Sequence, residues 1–230
     1  MTVAAIIIVP DSAAALAEVE GESVIRRVVQ SAWAGGALPI VVVCAGSGGP
    51  LDQVLAELPV TPAQPAPTEP RGIAWFVAGQ RAAVRAVSET TACLLWPIRH
   101  SWVDPETVTS LVEAHGASPD SIIRPAYGAR PGFPILVPYP LSDRLAALSG
   151  MHGEEAIDSL IAAGVPSLTV ELGDPGIVHD GATPRSSLPD YQGPPAPVPG
   201  SRTRDVGQLR NADEAVGATI GPALPTLENL

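Results

Sequence analysis

The side chains best suited to bind or react with a ligand follow one apolar run near the middle of the chain. Residues 92–96 are apolar, Pro97 ends the run, and Arg99 and His100 come next. An arginine can pair directly with a phosphate or a carboxylate, and a histidine can bind a ligand or act as a general base near neutral pH. The alternatives are a structural ion pair or a solvated loop position for Arg99, and a hydrogen-bonded structural position for His100.

Two further groups have the chemistry of metal ligands but not a recognised metal-binding spacing. His152 precedes Glu154 and Glu155, and His179 precedes Asp180. Residues of this kind more often cap helices or line turns, so metal binding is the less favoured interpretation.

Aromatic and small residues next to predicted strands suggest two other contacts with a ligand. Trp96 and Trp102 flank the arginine–histidine corner and could stack on a planar ring, although large residues near strand ends commonly belong to the core. The small-residue loop 45–50 lies between an apolar run and a helix, where a phosphate could bind at the helix N-terminus. That loop has neither a G-x-G-x-x-G spacing nor a lysine, so a plain tight turn is the alternative.

The elements that must position these residues alternate between strands and helices. Apolar runs typical of strands buried in a parallel sheet cover residues 3–9, 38–44 and 92–96. Helices are predicted over residues 13–19, 24–34, 51–58, 72–88 and 105–115. Asp104 is the expected N-cap of the last helix, and Pro105 its first residue. The alternation predicts an α/β fold: a three-layer αβα, Rossmann-like arrangement with a mostly parallel sheet, whose carboxyl edge would carry Arg99.

The second half of the chain predicts a smaller extension and a tail. Short strands at 121–126 and 133–137 flank a Gly/Pro-containing connection typical of a hairpin-like extension. The remaining predicted elements are helices at 142–148 and 154–163 and strands at 167–172 and 176–178. We assign one domain to residues 1–188 and expect residues 189–230, which are rich in proline and glycine, to be a disordered tail with a transient helix near 206–216. Residues 60–71 predict a proline-rich loop with little regular structure.

Composition excludes several classes of function. All 13 basic residues are arginine, and the formal net charge is −11, which argues against binding to nucleic acid or to an anionic membrane. The absence of lysine excludes Schiff-base chemistry; it is consistent with a GC-rich genome, and we expect a bacterial-type protein. We expect Cys44 and Cys93 to be buried core residues. The N-terminal residues lack the basic region of a signal peptide and a membrane-length apolar run, so we expect a cytoplasmic protein.

Several local strings, in their order along the chain, resemble the MobA-like NTP-transferase family, especially its molybdopterin cytidylyltransferase-like branch. The resemblance covers residues 3–191 and is carried by VAAIII, GESVIRRVVQSAWAGG, LPIVVVCAG, RGIAWFVAGQRAAV, LLWPIRHSWVDPETV, IIRPAYGARPGFPILVP, GEEAIDSLIAAG and LTVELGDPGIVHDGATP. It implies a nucleotidyltransferase fold and a Mg²⁺-dependent reaction that joins CTP or GTP to a phosphorylated acceptor and releases pyrophosphate. It also implies ligand contact at Arg71 and Gly72, which stand where the nucleotide-side helix of the family begins.

Three positions that carry the family's chemistry differ in this chain. After the first strand the family has a glycine-rich loop with an arginine and a lysine, whereas this chain has Pro10, which lacks an N–H, and Asp11, which a triphosphate would repel. Arg99 stands where the family places a metal-binding aspartate, and a guanidinium cannot ligate Mg²⁺. The family string D-x-D-T-P appears with Ala182 in place of its second carboxylate, which leaves Asp180 as a weak metal candidate.

These departures favour a family fold that has lost its usual chemistry. The first hypothesis is a non-catalytic pseudoenzyme that binds a small molecule, a nucleotide or a protein partner, with Arg71, Gly72, Arg99 and His100 facing the ligand and no cofactor required. The alternative is an active nucleotidyltransferase in which Asp174, Asp180 or Asp104 holds Mg²⁺ and CTP or GTP is the substrate. That alternative requires at least two carboxylates to converge near Arg99. A third hypothesis is another small-molecule enzyme that uses the same cleft.

Overall fold

A computed structural model describes residues 2–46, 48–66 and 68–193. Most of the predicted tail, including the helix expected near residues 206–216, lies outside these residues, so the domain boundary at residue 188 and the disorder of the tail stay predictions. The described chain continues past Leu188 as far as Gly193, whose carbonyl oxygen accepts a hydrogen bond from the N–H of Gly173 at 3.1 Å. No helix in this part of the chain is long and apolar enough to cross a membrane.

Strands and helices alternate along the first two thirds of the described chain. The strands are β1 (Thr2–Val9), β2 (Glu18–Val19), β3 (Glu22–Ser23), β4 (Ile40–Cys44), β5 (Thr61–Ala63), β6 (Thr90–Pro97), β7 (Ile122–Tyr127), β8 (Arg130–Pro131), β9 (Ile135–Pro138) and β10 (Ser167–Glu171). The helices are α1 (Ser12–Leu16), α2 (Val24–Ala34), α3 (Pro50–Ala56), α4 (Ile73–Ala86), α5 (Pro105–Ala117), α6 (Ser142–Ala146) and α7 (Gly153–Ala162). Short 3₁₀ helices lie at Tyr139–Leu141, Pro175–Ile177 and Arg185–Ser187.

One mixed sheet organises the fold. Its strand order is β10-β7-β9-β6-β1-β4-β5, and β8 pairs with β7 beside this path. Strands β6, β1, β4 and β5 run parallel to one another, so their carboxyl ends meet at one edge of the sheet. Strand β9 is antiparallel to both β6 and β7, and β7 and β8 form a hairpin. The predicted mostly parallel sheet with a small hairpin-like extension is confirmed.

Helices cover both faces of the sheet, as the apolar runs predict. Alternate residues of β1 point to opposite faces, because side chains alternate along a strand: Ile7 packs in a core with α2, α3 and α5, and Ile6 packs in a second core with α4, α6 and α7. The central strands are therefore buried on both sides, which explains why their sequences are continuously apolar. The three-layer αβα arrangement is confirmed, and Cys44 and Cys93 are both buried, free thiols within it.

Three local predictions differ from the structure. The first predicted helix, over residues 13–19, ends at Leu16, because residues 18–23 form the hairpin of β2 and β3, with Gly21 in the left-handed region at φ 81°. The predicted loop over residues 60–71 contains strand β5, which is an edge strand and so tolerates its proline. The strand predicted at residues 176–178 is instead a 3₁₀ turn, because Asp174 caps it by accepting the N–H of Gly176.

Candidate functional site

The corner that follows β6 lies at the carboxyl edge of the sheet. The N–H of Ile98 donates to the carbonyl oxygen of Ile8 at 3.0 Å, which extends the pairing of β6 with β1 by one residue. The chain then turns, and Asp104 ends the corner by accepting the N–H of Glu106 at 2.9 Å in front of Pro105. The predicted N-cap and start of α5 are confirmed. The corner is thus held at both ends, and Arg99 is the exposed residue between them, because residues 100–103 are buried.

A cavity of about 510 Å³ opens beside this corner. It is lined by the ends of β1 and β6 and by the first residues of α4 and α7, so it sits where an α/β sheet places its ligands. Its lining includes Arg71, Gly72 and Arg99, three of the four residues predicted to face a ligand. The volume lies within the range of small-molecule sites. Tertiary structure therefore brings together two predicted segments that the sequence separates.

The two arginines of the cavity each stack on an aromatic wall. The guanidinium carbon of Arg99 lies 5.5 Å from the centroid of Phe133, and that of Arg71 lies 5.9 Å from the centroid of Trp75. Cation–π contact of this kind holds a guanidinium in place without neutralising its charge. Neither arginine forms an ion pair with any residue that the structure describes. Two arginines without an ion-pair partner among the described residues therefore line one cavity, together with the carboxylate of Glu154.

Two helices begin on the same cavity. Helix α4 starts after Gly72 and helix α7 starts after His152, and neither capping residue supplies a side-chain hydrogen bond. The positive end of the α4 dipole adds to the field of the arginines, whereas Glu154 and Glu155 in the first turn of α7 offset that of α7. Gly72 itself is required by the backbone: its φ is 133°, and a Cβ there would lie 2.5 Å from the carbonyl oxygen of Met151. The conformation and packing of the backbone therefore explain why residue 72 is a glycine.

His100 does not line the cavity, although we expected it to face the ligand. Its side chain is 6% exposed, and its ring lies 4.9 Å from the ring of Phe133 at an interplanar angle of 33°. Burial, assisted by the positive charge of Arg99, lowers the pKa of His100 to about 4, and Asp180 and the backbone of Gly176 and His179 offset this only in part. The ring is therefore neutral at pH 7 and adds no positive charge to the site. His100 therefore packs against Phe133, which lines the cavity, and does not line the cavity itself.

Asp180 lies next to Arg99 through the backbone. The N–H of Gly181 donates to the carbonyl oxygen of Arg99 at 2.6 Å, and the carboxylate of Asp180 accepts the N–H of Ala182 at 3.1 Å. A second cavity of about 300 Å³ is lined by Arg99, Ser101 and Asp180. Arg99 therefore forms part of the wall of both cavities, and Asp180 belongs to the smaller one.

The other candidate metal carboxylates have structural partners. Asp174 is 2% exposed and accepts hydrogen bonds from the N–H of Asp104 at 2.9 Å, the hydroxyl of Thr107 at 2.7 Å and the N–H of Gly176 at 2.8 Å. Burial raises the pKa of Asp174, and these donors offset the rise only in part. Glu154 is the carboxylate that lines the larger cavity. Within residues 2–46, 48–66 and 68–193, no group of three or more His, Cys, Asp or Glu residues could hold a metal ion.

Turns that could have bound a phosphate use their amides internally. The carboxylate of Asp11 accepts the N–H of Ala13 at 3.0 Å at the start of α1. In the described part of loop 45–50, the N–H of Gly48 donates to the carboxylate of Asp52. A carboxylate of the chain thus stands at each turn where a phosphate oxygen would have to bind, which favours the plain-turn interpretation of the loop.

The aromatic residues singled out in the sequence have structural roles. Trp96 is fully buried and donates its indole N–H to the carbonyl oxygen of His100 at 2.9 Å. Trp102 donates to the carbonyl oxygen of Thr183 at 2.9 Å. Sequence reasoning missed Trp75 and Phe133 as the aromatic walls of the cavity. The position of Trp75, four residues after Arg71 at the start of a helix, is the one local signal that could have found it.

Comparisons with known proteins agree with this architecture. A family model described as a MobA-like NTP transferase domain matches residues 13–166. A nucleotidyl transferase from Methanothermobacter thermautotroptrophicus superposes with a TM-score of 0.65 at 16% identity, covering 77% of this chain and 91% of that one. A Mycobacterium tuberculosis protein in complex with manganese superposes with a TM-score of 0.54 at 17% identity, covering 74% of this chain and 88% of that one. The 2-C-methyl-D-erythritol 4-phosphate cytidylyltransferase of Thermus thermophilus superposes with a TM-score of 0.57 at 15% identity, covering 78% of this chain and 92% of that one. At these identities the likenesses show the fold, and curated protein sequences give no match.

Proposed function

The chain belongs to the MobA-like NTP transferase family, and we propose that it recognises a ligand or a protein partner at the carboxyl edge of its sheet without transferring a nucleotidyl group. The family membership confirms the resemblance seen in the sequence. The absence of nucleotidyl transfer is supported by Pro10, Asp11 and Arg99, which occupy the positions where the resemblance requires phosphate donors and a metal ligand.

The side chain of Arg99 is the observation that carries this proposal. It follows β6 at the position that the resemblance assigns to a metal-binding aspartate, and it lines the cavity without an ion pair among the described residues. A guanidinium has five donors and no acceptor, so it cannot ligate Mg²⁺ and its charge repels the ion. A Mg²⁺-nucleotide would have to bind beside this charge without the carboxylates that normally offset it.

The residues after β1 support the same conclusion. Pro10 lines the cavity but has no N–H to offer a triphosphate, and Asp11 caps α1 with its carboxylate. Phosphoryl and nucleotidyl transfer depend on backbone amides and cations that stabilise the developing charge on the phosphates. In this chain Pro10 and Asp11 stand in place of these groups: Pro10 has no N–H to donate, and Asp11 adds a negative charge.

An active nucleotidyltransferase with displaced catalytic groups is the second candidate. Glu154 lines the larger cavity, Asp180 lines the smaller one and Arg99 lines both, so each cavity that Arg99 borders has a carboxylate in its lining. The structural relatives include a nucleotidyl transferase and a manganese complex. Under this alternative, Mg²⁺ and CTP or GTP would bind at the carboxyl edge with Asp180 as a metal ligand.

Calorimetric titration with CTP, GTP and ATP, each with and without Mg²⁺, separates the two candidates. The proposed function predicts no Mg²⁺-dependent binding of any of the three nucleotides. Binding that requires Mg²⁺, followed by release of pyrophosphate when phosphorylated acceptors are added, would overturn it in favour of the active enzyme. Arg85→Gln provides a matched control for any arginine variant, because Arg85 lies on α4 but outside the larger cavity.

A further inference from the structure

We propose that the cavity takes an organic oxyanion, a carboxylate or a monophosphate on a planar or apolar body, and that it does so without a divalent cation. This inference rests on the proposed function and names the class of ligand for the same site. It follows from the charge balance of the cavity, from the nature of its walls and from the way in which its arginines are held.

The charge balance favours an anion. Two guanidinium groups, those of Arg71 and Arg99, line the cavity, and the carboxylate of Glu154 is the one acidic side chain among its lining residues. The first turn of α4 has no acidic residue and adds its positive dipole end to this field, whereas Glu154 and Glu155 in the first turn of α7 offset the dipole of that helix. The protein as a whole has a net charge of −11, so this concentration of positive field is local and opposite to the overall charge. An oxyanion is the group that such a field attracts.

The walls favour a planar or apolar body on that anion. The floor and sides are formed by aliphatic residues at the ends of the strands, among them Ile8, Leu95 and Ile98, and by the rings of Trp75 and Phe133. A lining of this kind buries apolar ligand surface, whereas a few polar groups fix its orientation. Trp75 is only 3% exposed, and its indole N–H has no hydrogen-bond partner among the described residues. That nitrogen is itself buried, so Trp75 offers the cavity the apolar surface of its ring rather than a hydrogen-bond donor.

Arginines held on aromatic rings make a metal unnecessary. Each guanidinium lies near the ring of an aromatic residue, which favours positions beside the cavity and so lowers the side-chain freedom lost when it pairs with an oxyanion. A guanidinium presents its donors in a fork that matches a carboxylate or a phosphate directly. A divalent cation between the two arginines would be repelled by both. The site therefore supplies with side chains the positive charge that the family supplies with Mg²⁺.

Calorimetric titration with phenyl phosphate in the presence of EDTA tests this inference on the full-length protein. We expect saturable binding that adding Mg²⁺ in place of EDTA changes less than twofold. We expect inorganic phosphate, which has the charge but no ring, and phenol, which has the ring but no charge, each to bind at least about tenfold more weakly. Benzoate in a parallel titration distinguishes a carboxylate from a phosphate as the preferred anionic group.

Matched variants locate the binding. Arg71→Gln and Arg99→Gln should each weaken phenyl phosphate binding about tenfold, because each removes a charge-assisted contact, while Arg85→Gln should leave it within twofold. Both cavity arginines are exposed, so we expect these variants to fold, and thermal unfolding checks this directly. Absence of phenyl phosphate and benzoate binding would overturn the inference, as would equal binding by all the variants or a requirement for Mg²⁺. None of these results would by itself overturn the proposed function, which fails only on Mg²⁺-dependent nucleotide binding and turnover.

Discussion

The backbone N–H of Gly181 donates to the carbonyl oxygen of Arg99 at 2.6 Å. This hydrogen bond joins the corner after β6 to a turn near the end of the described chain, and it places the Asp180 turn against Arg99. The family resemblance assigns acidic groups to both segments, and the contact joins the two positions at which this chain has Arg99 and Ala182 instead.

Restoring carboxylates at the two altered positions should create a metal site. Arg99→Asp combined with Ala182→Asp adds two carboxylates beside Asp180, and residues 99, 180 and 182 all line the smaller cavity. Oxygen ligands on adjacent elements suit Mn²⁺ and Mg²⁺, so we expect Mn²⁺ to bind at least about tenfold more tightly than to the unaltered protein. Calorimetry or electron paramagnetic resonance with Mn²⁺ measures this. The uncharged pair Arg99→Asn with Ala182→Asn is the control, and equal Mn²⁺ binding by both doubles would contradict the expectation.

Gly72→Ala should destabilise the fold at the edge of the larger cavity. The φ of 133° is strained for any residue with a side chain, and the added methyl would press on the carbonyl oxygen of Met151, 2.5 Å away. We expect the free energy of unfolding to fall by about 2–4 kcal/mol, measured by urea denaturation. Gly150→Ala is the matched control, because a Cβ at Gly150 meets nothing within 4 Å, and it should change stability by less than about 0.5 kcal/mol. Equal effects of the two substitutions would show that backbone strain at Gly72 is not the cause.

The burial of His100 should make the fold sensitive to acid. In the unfolded chain His100 binds a proton below about pH 6.5, whereas in the folded protein its pKa is about 4, so acidification between these values favours unfolding. We expect the stability at pH 4 to be lower than that at pH 7 by up to about 3 kcal/mol from this residue alone. Denaturant unfolding at a series of pH values measures the slope.

His100→Leu isolates that contribution. The pKa of His115 is also lowered, which adds a slope of the same sign, and that of Asp174 is raised, which adds one of opposite sign. Both groups remain in the variant, so the difference between the two stability curves reports His100. We expect the variant to lose less stability than the unaltered protein between pH 7 and pH 4. Parallel curves would mean that His100 titrates normally in the folded state.

Asp174→Ala should cost much more stability than the loss of an exposed carboxylate. The substitution leaves the N–H groups of Asp104 and Gly176 and the hydroxyl of Thr107 without their acceptor in the interior. Unsatisfied buried donors of this kind cost about 1–3 kcal/mol each, so we expect a total loss of at least about 3 kcal/mol in a denaturant titration. Asp190→Ala, at an exposed position, should be within about 0.5 kcal/mol of the unaltered protein. A small effect at Asp174 would reopen its assignment as a metal ligand.

The fold could be predicted from local patterns because those patterns report burial directly. The apolar run at the start of the chain forms β1, which is paired on both sides, and the Asp104–Pro105 signal marks the start of α5. Strand β5 escapes sequence reasoning because Pro62 is a poor strand residue everywhere except at an edge, and a local pattern does not say which strand lies there. The 3₁₀ turn at Pro175–Ile177 resembles a strand in sequence because its apolar residues are buried by contacts from elsewhere in the fold.

The sequence by itself determined the residue types of the site: an arginine where a metal carboxylate is expected, a proline and an aspartate where a phosphate loop is expected, and a chain with no lysine. Tertiary structure alone decided which of these residues line a cavity. It placed Arg71 and Arg99 on one cavity, turned His100 beneath Phe133, and buried Asp174 among three donors. The physical reason is that the formal charge and the hydrogen-bonding groups of a side chain are set by its residue type. Its exposure, its pKa and its hydrogen-bond partners depend instead on neighbours that are distant in sequence.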